Sequence, residues 1–153
     1  MVPIHFLFRD YKEEDFSSVA ELWAVTGLGN PARGDDANVI SRTLSQGGIF
    51  LVVEATPSGE IVGSSWMTND GRRLYLHHFG IAPRLQRQGI GRALLEASLA
   101  RAQPLGLQIK LEVHRENTAA ATLYKNHGFV NLGDYDVYII RSLASSFSQG
   151  QRS

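Results

Sequence analysis

Residues 84–100, RLQRQGIGRALLEASLA, decide the fold, because they join an apolar strand-like segment to a helix through a turn rich in glycine and arginine. The first turn of a helix leaves backbone N–H groups without partners and carries positive partial charge. Gly89 and Gly91 remove the Cβ atoms that would keep a bulky anion away from those amides, while Arg87 and Arg92 add positive charge. The stretch therefore indicates a backbone cradle for phosphate, with a pyrophosphate as the expected group.

Two familiar phosphate-binding loops do not match this turn. It contains no Gly-Lys-Ser/Thr, and the dinucleotide spacing Gly-x-Gly-x-x-Gly fails because residue 94 is Leu. In the alternative interpretation the glycines serve tight packing and the arginines serve solubility. The turn by itself leaves both interpretations open.

The composition narrows the class of protein. The chain has 153 residues, which suits one domain, and its 15 basic residues equal its 15 acidic ones, which argues against a nucleic-acid binder. It has no cysteine, so a disulfide framework, a thiolate metal site and a cysteine nucleophile are excluded. The histidines show no ligand spacing, and we expect no metal. We expect neither a secretory signal nor a membrane span, and hence a cytoplasmic protein.

Hydrophobic periodicity predicts alternating strands and helices, with two short turns that imply an antiparallel meander. The predicted strands cover residues 5–9, 49–55, 60–68, 73–81, 108–114 and 134–143. The predicted helices cover residues 13–26, 35 or 36 to 44, about 89–103, and 118–127. We expect one mixed α/β domain over residues 1–143, followed by a flexible tail over 144–153.

The segment QRQGIG, residues 86–91, has the form Gln/Arg-x-x-Gly-x-Gly/Ala and resembles the acetyl-CoA loop of the GCN5-related N-acetyltransferases (GNAT). Residues 79–95 and 111–129 are similar to the strand–loop–helix and strand–helix segments of that family, and the order of elements also agrees. The resemblance covers roughly the whole chain. It implies the acyl-CoA N-acyltransferase fold: a mostly antiparallel sheet flanked by helices, with splayed fourth and fifth strands.

The resemblance also implies where acetyl-CoA, the expected co-substrate, binds. The pantetheine arm would pair with the fourth strand, and the Ile81 amide would polarise the thioester carbonyl. Gly80 suits a strand bulge, or it relieves packing. Asn117 would contact pantetheine, with a helix cap as an equal alternative. The implied binding residues are Phe79, Gly80, Ile81, Gln86, Arg87, Gln88, Gly89, Ile90, Gly91, Arg92 and Asn117.

Three residues are candidates for the proton transfers. Tyr124 lies two helical turns after Asn117 and, by resemblance, would protonate the departing thiolate; a half-buried packing tyrosine is the alternative. Glu112 matches the general base of the family's peptide-N-terminal acetyltransferases, or it is a solvated carboxylate. His77 matches the histidine base of arylalkylamine acetyltransferases, and its neighbour His78 should face oppositely and be structural.

The expected function is transfer of an acetyl group from acetyl-CoA directly to a primary amine of a small molecule or peptide. Without cysteine a thiol acyl-enzyme is impossible, so direct attack is favoured. An acyl-CoA-binding regulatory module without turnover is the alternative, and nucleic acid and membrane are not expected partners. Asp35, Asp36, Asp134 and Asp136 could attract a cationic acceptor, or they are ordinary loop and cap residues. Tyr75 occupies the place of an acidic residue in histone-modifying members, which argues against a histone-type mechanism. Homodimers are common in the family, so a second copy of the chain is a candidate partner.

Overall fold

The computed structural model describes residues 2–30 and 33–144. Its five strands are β1 (His5–Asp10), β2 (Ile49–Thr56), β3 (Glu60–Asn69), β4 (Arg73–Ile81) and β5 (Gln108–Leu111). Its four α-helices are α1 (Phe16–Thr26), α2 (Ala37–Ser45), α3 (Ile90–Ala102) and α4 (Thr118–Asn126). The described residues form two compact units, one up to His114 and one from Arg115 onward, and each is described by itself. No helix in these two ranges is long and apolar enough to cross a bilayer.

The five strands form one sheet in the order β1-β2-β3-β4-β5. Strands β2, β3 and β4 form the antiparallel meander that the two short turns predict. Strand β1 pairs antiparallel with β2, and β5 joins β4 in parallel. The β4–β5 pairing runs from Arg73–Gln108 to Leu76–Leu111 and ends there, although β4 continues to Ile81. The mixed α/β fold with splayed fourth and fifth strands is therefore confirmed.

A bulge interrupts β4 before its last residues. Ser64 pairs with Gly80 and Trp66 with His77, so three steps along β4 oppose two steps along β3. His78 adopts a positive φ of 47° at this point. The expectation that Gly80 forms the bulge is wrong in position, because the extra residue lies at His78 and Phe79. Gly80 instead permits a close approach: a Cβ there would lie 2.6 Å from Leu28 Cδ1.

The helices of the first unit cover both faces of the sheet. Ser64 and Ser65 are adjacent in β3 and point to opposite faces. Ser64 Oγ accepts a hydrogen bond from Trp23 Nε1 of α1 at 2.9 Å, whereas Ser65 Oγ lies 2.7 Å from Ser98 Oγ of α3. Trp66, on the Ser64 side, donates to Thr43 Oγ1 of α2 at 3.0 Å. Helices α1 and α2 therefore share one face, and α3 covers the other.

Stacked aromatic rings hold α1 and the sheet together. The ring centroids of Trp23, Phe50 and Trp66 lie 5.8–6.0 Å from one another. The Trp23 side chain is 1% exposed, and burial of rings this large supplies much of the core's hydrophobic stabilisation. Trp66 of this aromatic cluster contacts His77 and His78, so the cluster supports the candidate site described below.

Most predicted elements are confirmed with small changes at their ends. The first predicted helix begins with a 3₁₀ turn over Glu13–Asp15, and α1 proper starts at Phe16. Asp36 rather than Asp35 caps α2, with its carboxylate accepting from the Val39 N–H at 2.9 Å. The loss of the β4 partner after Leu76 ends β5 at Leu111, three residues before the predicted end at His114.

The prediction of a last strand over residues 134–143 is wrong. The segment forms no strand, and Tyr138, for example, is 90% exposed. High β-propensity does not make a strand unless a neighbouring strand pairs with its backbone. The predicted tail lies outside the described residues except for Ala144, and the single domain over 1–143 stays a prediction.

Candidate active site

The turn before α3 has the geometry of an anion-binding cradle. Gly89, the N-cap residue, has a left-handed φ of 83°, and no side chain caps the helix. A Cβ added at Gly89 would meet nothing within 4 Å, so the space in front of the amides is open. Arg87 also has a positive φ, of 64°, which bends the backbone around this space. These features fit the phosphate groups of a coenzyme, since a helix N-terminus favours negative charge.

The side chains around the cradle differ in their partners. Arg92 pairs with Glu96 at 3.0 Å, whereas Arg87 has no ion pair within the described ranges. Gln86 Nε2 donates to the Ile81 carbonyl at 3.1 Å and so ties the loop to the end of β4. Ile90 is buried in the core, which anchors the start of α3. Arg87 therefore supplies the uncompensated charge, and Gln86 and Ile90 hold the loop in place.

The end of β4 presents a backbone donor to the gap between the splayed strands. The Ala82 N–H donates to the Val62 carbonyl of β3 at 2.7 Å. Backbone groups of successive strand residues point to opposite sides, so the Ile81 N–H points away from β3, toward the side from which β5 has diverged. Phe79 and Gly80 precede it on the same splayed segment. A donor at the mouth of such a gap can stabilise negative charge on an acyl oxygen.

His77 lies on the α1 face of β4 and is held by two neighbours. Its Nε2 lies 2.9 Å from Thr68 Oγ1, and its ring stacks on Tyr75 with the centroids 4.1 Å apart. Burial lowers the pKa of His77 to about 4, and the neighbouring His78 contributes in the same direction. The imidazole is therefore uncharged at neutral pH and able to accept a proton.

Glu112 lies one residue beyond β5, and its side chain is exposed. It interacts with the Tyr75 hydroxyl, whose pKa is raised chiefly by burial and further by the hydrogen bond to this carboxylate. Tyr75 thus touches both candidate bases, since it also stacks on His77. His77 and Glu112, the two alternative bases predicted from the sequence, therefore both contact Tyr75.

His78 does not face away from His77 as predicted. The two ring centroids are 6.1 Å apart, and both rings contact Trp66, because the bulge turns the His78 side chain. His78 Nε2 lies 3.1 Å from Asp35 Oδ1. Asp35 Oδ2 also accepts from the Asn30 N–H at 2.7 Å. His78 and Asp35 therefore join the loop before α2 to the bulge.

The aspartates of this loop have structural partners. Asp35 binds His78 and the Asn30 amide, and Asp36 caps α2. Both follow the loop-and-cap interpretation that the sequence left open. Asp134 and Asp136 are exposed residues of the second unit. Among residues 2–30 and 33–144, no group of three or more histidine and acidic side chains could hold a metal ion.

The second unit contains the two remaining candidates. Asn117 caps α4, where its side-chain oxygen accepts from the Ala120 N–H at 3.2 Å, and this leaves the Nδ2 amide group for another acceptor. Tyr124 is 8% exposed and packs edge-on against Phe129 at 5.6 Å. Burial raises the pKa of Tyr124 to about 12, so the hydroxyl keeps its proton at neutral pH. The proposed roles of both residues stay predictions.

Sequence reasoning missed a cavity beside His77 and Tyr75. Its volume is about 350 Å³, and its other lining residues are Thr68, Asp70, Arg72, Arg73 and Lys110. The register places Thr68 opposite Tyr75 and Tyr75 opposite Lys110, in one row across three strands. Alternation along the strands could have put these side chains on one face, but the sequence does not contain the register that aligns them.

The fold is that of known acetyltransferases. An acetyltransferase of the GNAT family from Streptococcus pneumoniae is similar, with 26% identity, a TM-score of 0.70, and coverage of 88% of this chain and 92% of that one. A predicted acetyltransferase with acetyl-CoA from Clostridium acetobutylicum has 13% identity, a TM-score of 0.69 and coverages of 88% and 96%. Glucosamine-6-phosphate N-acetyltransferase from Arabidopsis thaliana has 16% identity, a TM-score of 0.68 and coverages of 89% and 99%.

The model of the acetyltransferase (GNAT) family matches residues 8–129. The chain therefore belongs to the GNAT family of acetyltransferases. The family resemblance inferred from the sequence is confirmed, and so is the expectation of an N-acetyltransferase enzyme at the level of the family.

Proposed function

We propose that the protein transfers an acetyl group from acetyl-CoA directly to the primary amine of a small molecule or peptide. The observation that carries this proposal is the gap beside β4, where the Ile81 N–H faces the splayed side a short distance along the chain from the open, uncapped start of α3. Acetyl-CoA would supply a thioester whose acetyl carbon is electrophilic. The relative that carries acetyl-CoA and the one that acetylates an amino sugar phosphate support the choice of donor and of an amine acceptor.

We assign the binding roles as the family resemblance implies, and the geometry of the first unit supports them. Amides of the segment 86–92 would hold the pyrophosphate, with Arg87 adding charge. The backbone of Phe79, Gly80 and Ile81 would pair with the pantetheine arm. The Ile81 N–H would donate to the acyl oxygen as negative charge develops on it. In the second unit, the Asn117 amide group would contribute a further hydrogen bond.

The proton transfers fall to three side chains. His77 is neutral and fixed by Thr68, so it is suited to take a proton from the attacking amine. Its low pKa makes it a weak base, and Glu112 stands beside the same tyrosine as the alternative acceptor. Tyr124 keeps its proton to high pH and would donate it to the departing thiolate. Direct attack by the amine is favoured, because the chain has no cysteine that could form a thiol acyl-enzyme.

Calorimetric titration with acetyl-CoA tests this proposal, with pantetheine as the ligand that lacks the pyrophosphate. Gly89→Ala should weaken acetyl-CoA binding at least about tenfold, because a methyl group enters the cradle and the left-handed backbone is strained. Gly106→Ala is the matched control: Gly106 also has a positive φ, of 65°, with nothing within 4 Å of its Cβ position, and lies beyond the other end of α3. Equal affinities of the two variants would reject the cradle.

A further inference from the structure

The cavity beside His77 is lined by more basic side chains than acidic ones. Arg72, Arg73 and Lys110 line it and have no ion pair within residues 2–30 and 33–144. By contrast, Arg84 and Arg101, which are exposed, pair with carboxylates at 2.5 Å and 2.8 Å. The whole chain has zero net charge, so this gathering of unpaired cations is local.

The acidic group in the cavity is already engaged. Asp70 accepts hydrogen bonds from the backbone N–H groups of Arg72 and Arg73 at 2.7 Å and 2.6 Å, which closes the β3–β4 turn. Glu112 stands next to Tyr75 but does not line the cavity. Arg73 Nε donates to Gln108 Oε1 at 3.0 Å, which orients the guanidinium and leaves its two terminal nitrogens for a ligand. Positive charge therefore exceeds negative charge in the cavity.

We propose that this cavity holds an anionic group of the acceptor, a carboxylate or a phosphate, while the acceptor's amine lies at His77. This inference rests on the proposed function. Arginine binds both kinds of oxyanion through paired N–H groups, and lysine adds a point charge. Tyr75, which pairs with Lys110, precedes His77 by two residues in β4, so the two positions are about 7 Å apart along the strand. The acceptor should therefore separate its amine from its anion by roughly this distance.

Matched pairs of amines test the proposal. For a phosphate we would compare 3-aminopropyl phosphate with 3-aminopropanol, and for a carboxylate 5-aminopentanoate with pentylamine. Thiol release from acetyl-CoA should give a kcat/KM at least about tenfold higher for the anionic member of one pair or both. The pair that shows the larger ratio identifies the anion. Equal values within both pairs would overturn the proposal and leave the proposed function intact.

Variants of the cationic residues assign the preference to this cavity. Lys110→Gln and Arg73→Gln should each lower the ratio between the anionic and the neutral amine several-fold. Arg42→Gln, at an exposed arginine of α2 that does not line the cavity, should keep the ratio of the wild type. An unchanged ratio in both cavity variants would assign the preference elsewhere and overturn the proposal.

Binding gives an answer that does not depend on turnover. In the presence of coenzyme A, calorimetry should show tighter binding of 3-aminopropyl phosphate than of 3-aminopropanol, and weaker binding of the phosphate to Lys110→Gln. 5-Aminopentanoate and pentylamine are compared in the same way. If none of the four amines is acetylated, equal affinities within both pairs overturn the proposal. Absence of acetyl-CoA binding would instead reject the proposed function, and this inference with it.

Discussion

His77 is a buried histidine that keeps its ring uncharged. Burial and the neighbouring His78 lower its pKa from the usual 6.5 to about 4, and the Thr68 hydroxyl fixes the ring through Nε2. We predict that the His77 resonance in an NMR pH titration shows a midpoint near pH 4, identified by its absence in His77→Asn. If His77 is the base, its protonation does not lower kcat/KM between pH 5 and 8. A midpoint at 6.5 or above would contradict this account.

The same shift couples His77 to stability. Between pH 6.5 and 4 the unfolded chain binds a proton at this residue before the folded one does. The free energy of unfolding should therefore fall as the pH decreases through this range, and part of that fall should be missing in His77→Asn. Chemical denaturation at pH 7 and pH 5 measures the difference, and an identical pH dependence in both proteins would refute the coupling.

Tyr124 is the residue proposed to act as the acid. Its raised pKa, about 12, keeps the proton available over the working range of pH. Tyr124→Phe should lower kcat by about 10²-fold, since general acid catalysis contributes at least this much, with little change in the affinity for acetyl-CoA. Stopped-flow turnover and calorimetry measure the two quantities. An undiminished kcat would remove Tyr124 from the chemistry and leave it a packing residue beside Phe129.

At the scale of the element, the β4 bulge sets the direction of the residues that follow it. One extra residue at His78 and Phe79 shifts the alternation, so His78 turns toward Trp66 and Asp35. Simple alternation of side chains along the sequence predicted the wrong face for His78. A bulge inserts one extra residue into the strand, and no sequence signal marks its position. Gly80, the glycine that suggested a bulge, instead leaves room for the side chain of Leu28.

A buried serine stabilises this bulge. Ser64 Oγ accepts from Trp23 Nε1 at 2.9 Å and donates to the His78 carbonyl at 2.6 Å. Ser64→Ala should lower the free energy of unfolding by about 1–3 kcal/mol, because it leaves two polar groups without partners in the core. Urea denaturation measures this, and Ser45→Ala, at an exposed serine of α2, is the control. A loss no larger than that of the control would show that the bulge does not need this bridge.

The last predicted strand shows the limit of local patterns. Residues 134–143 alternate in a way typical of a strand, yet a strand forms only where a partner backbone is available. The early end of β5 has the same cause, because the splay of β4 removes its partner. Pairing depends on residues far apart in the sequence, and the pattern within one segment does not contain it.

At the scale of the whole molecule, the order of elements and the fold class were predictable from the sequence. Turn residues, helix caps and apolar periodicity are local, and they gave the meander, α3 and its glycine-rich start. The role of this start as a phosphate cradle stays a prediction. The cavity of Arg72, Arg73 and Lys110 was not predictable, because it depends on the register that aligns β3, β4 and β5. Family membership narrows the chemistry to acetyl transfer, and the proposed binding of an anionic acceptor depends on this register.

The central claim is direct transfer of an acetyl group from acetyl-CoA to an amine, and amine-dependent release of free thiol tests it most directly. The chain contains no cysteine, so every thiol detected comes from the coenzyme and none from the protein. We predict that a panel of primary amines includes acceptors that raise thiol release above the amine-free rate, with one acetylated amine formed for each thiol, by mass spectrometry. Tight acetyl-CoA binding without amine-dependent thiol release across the panel would contradict the account and leave a coenzyme-binding module.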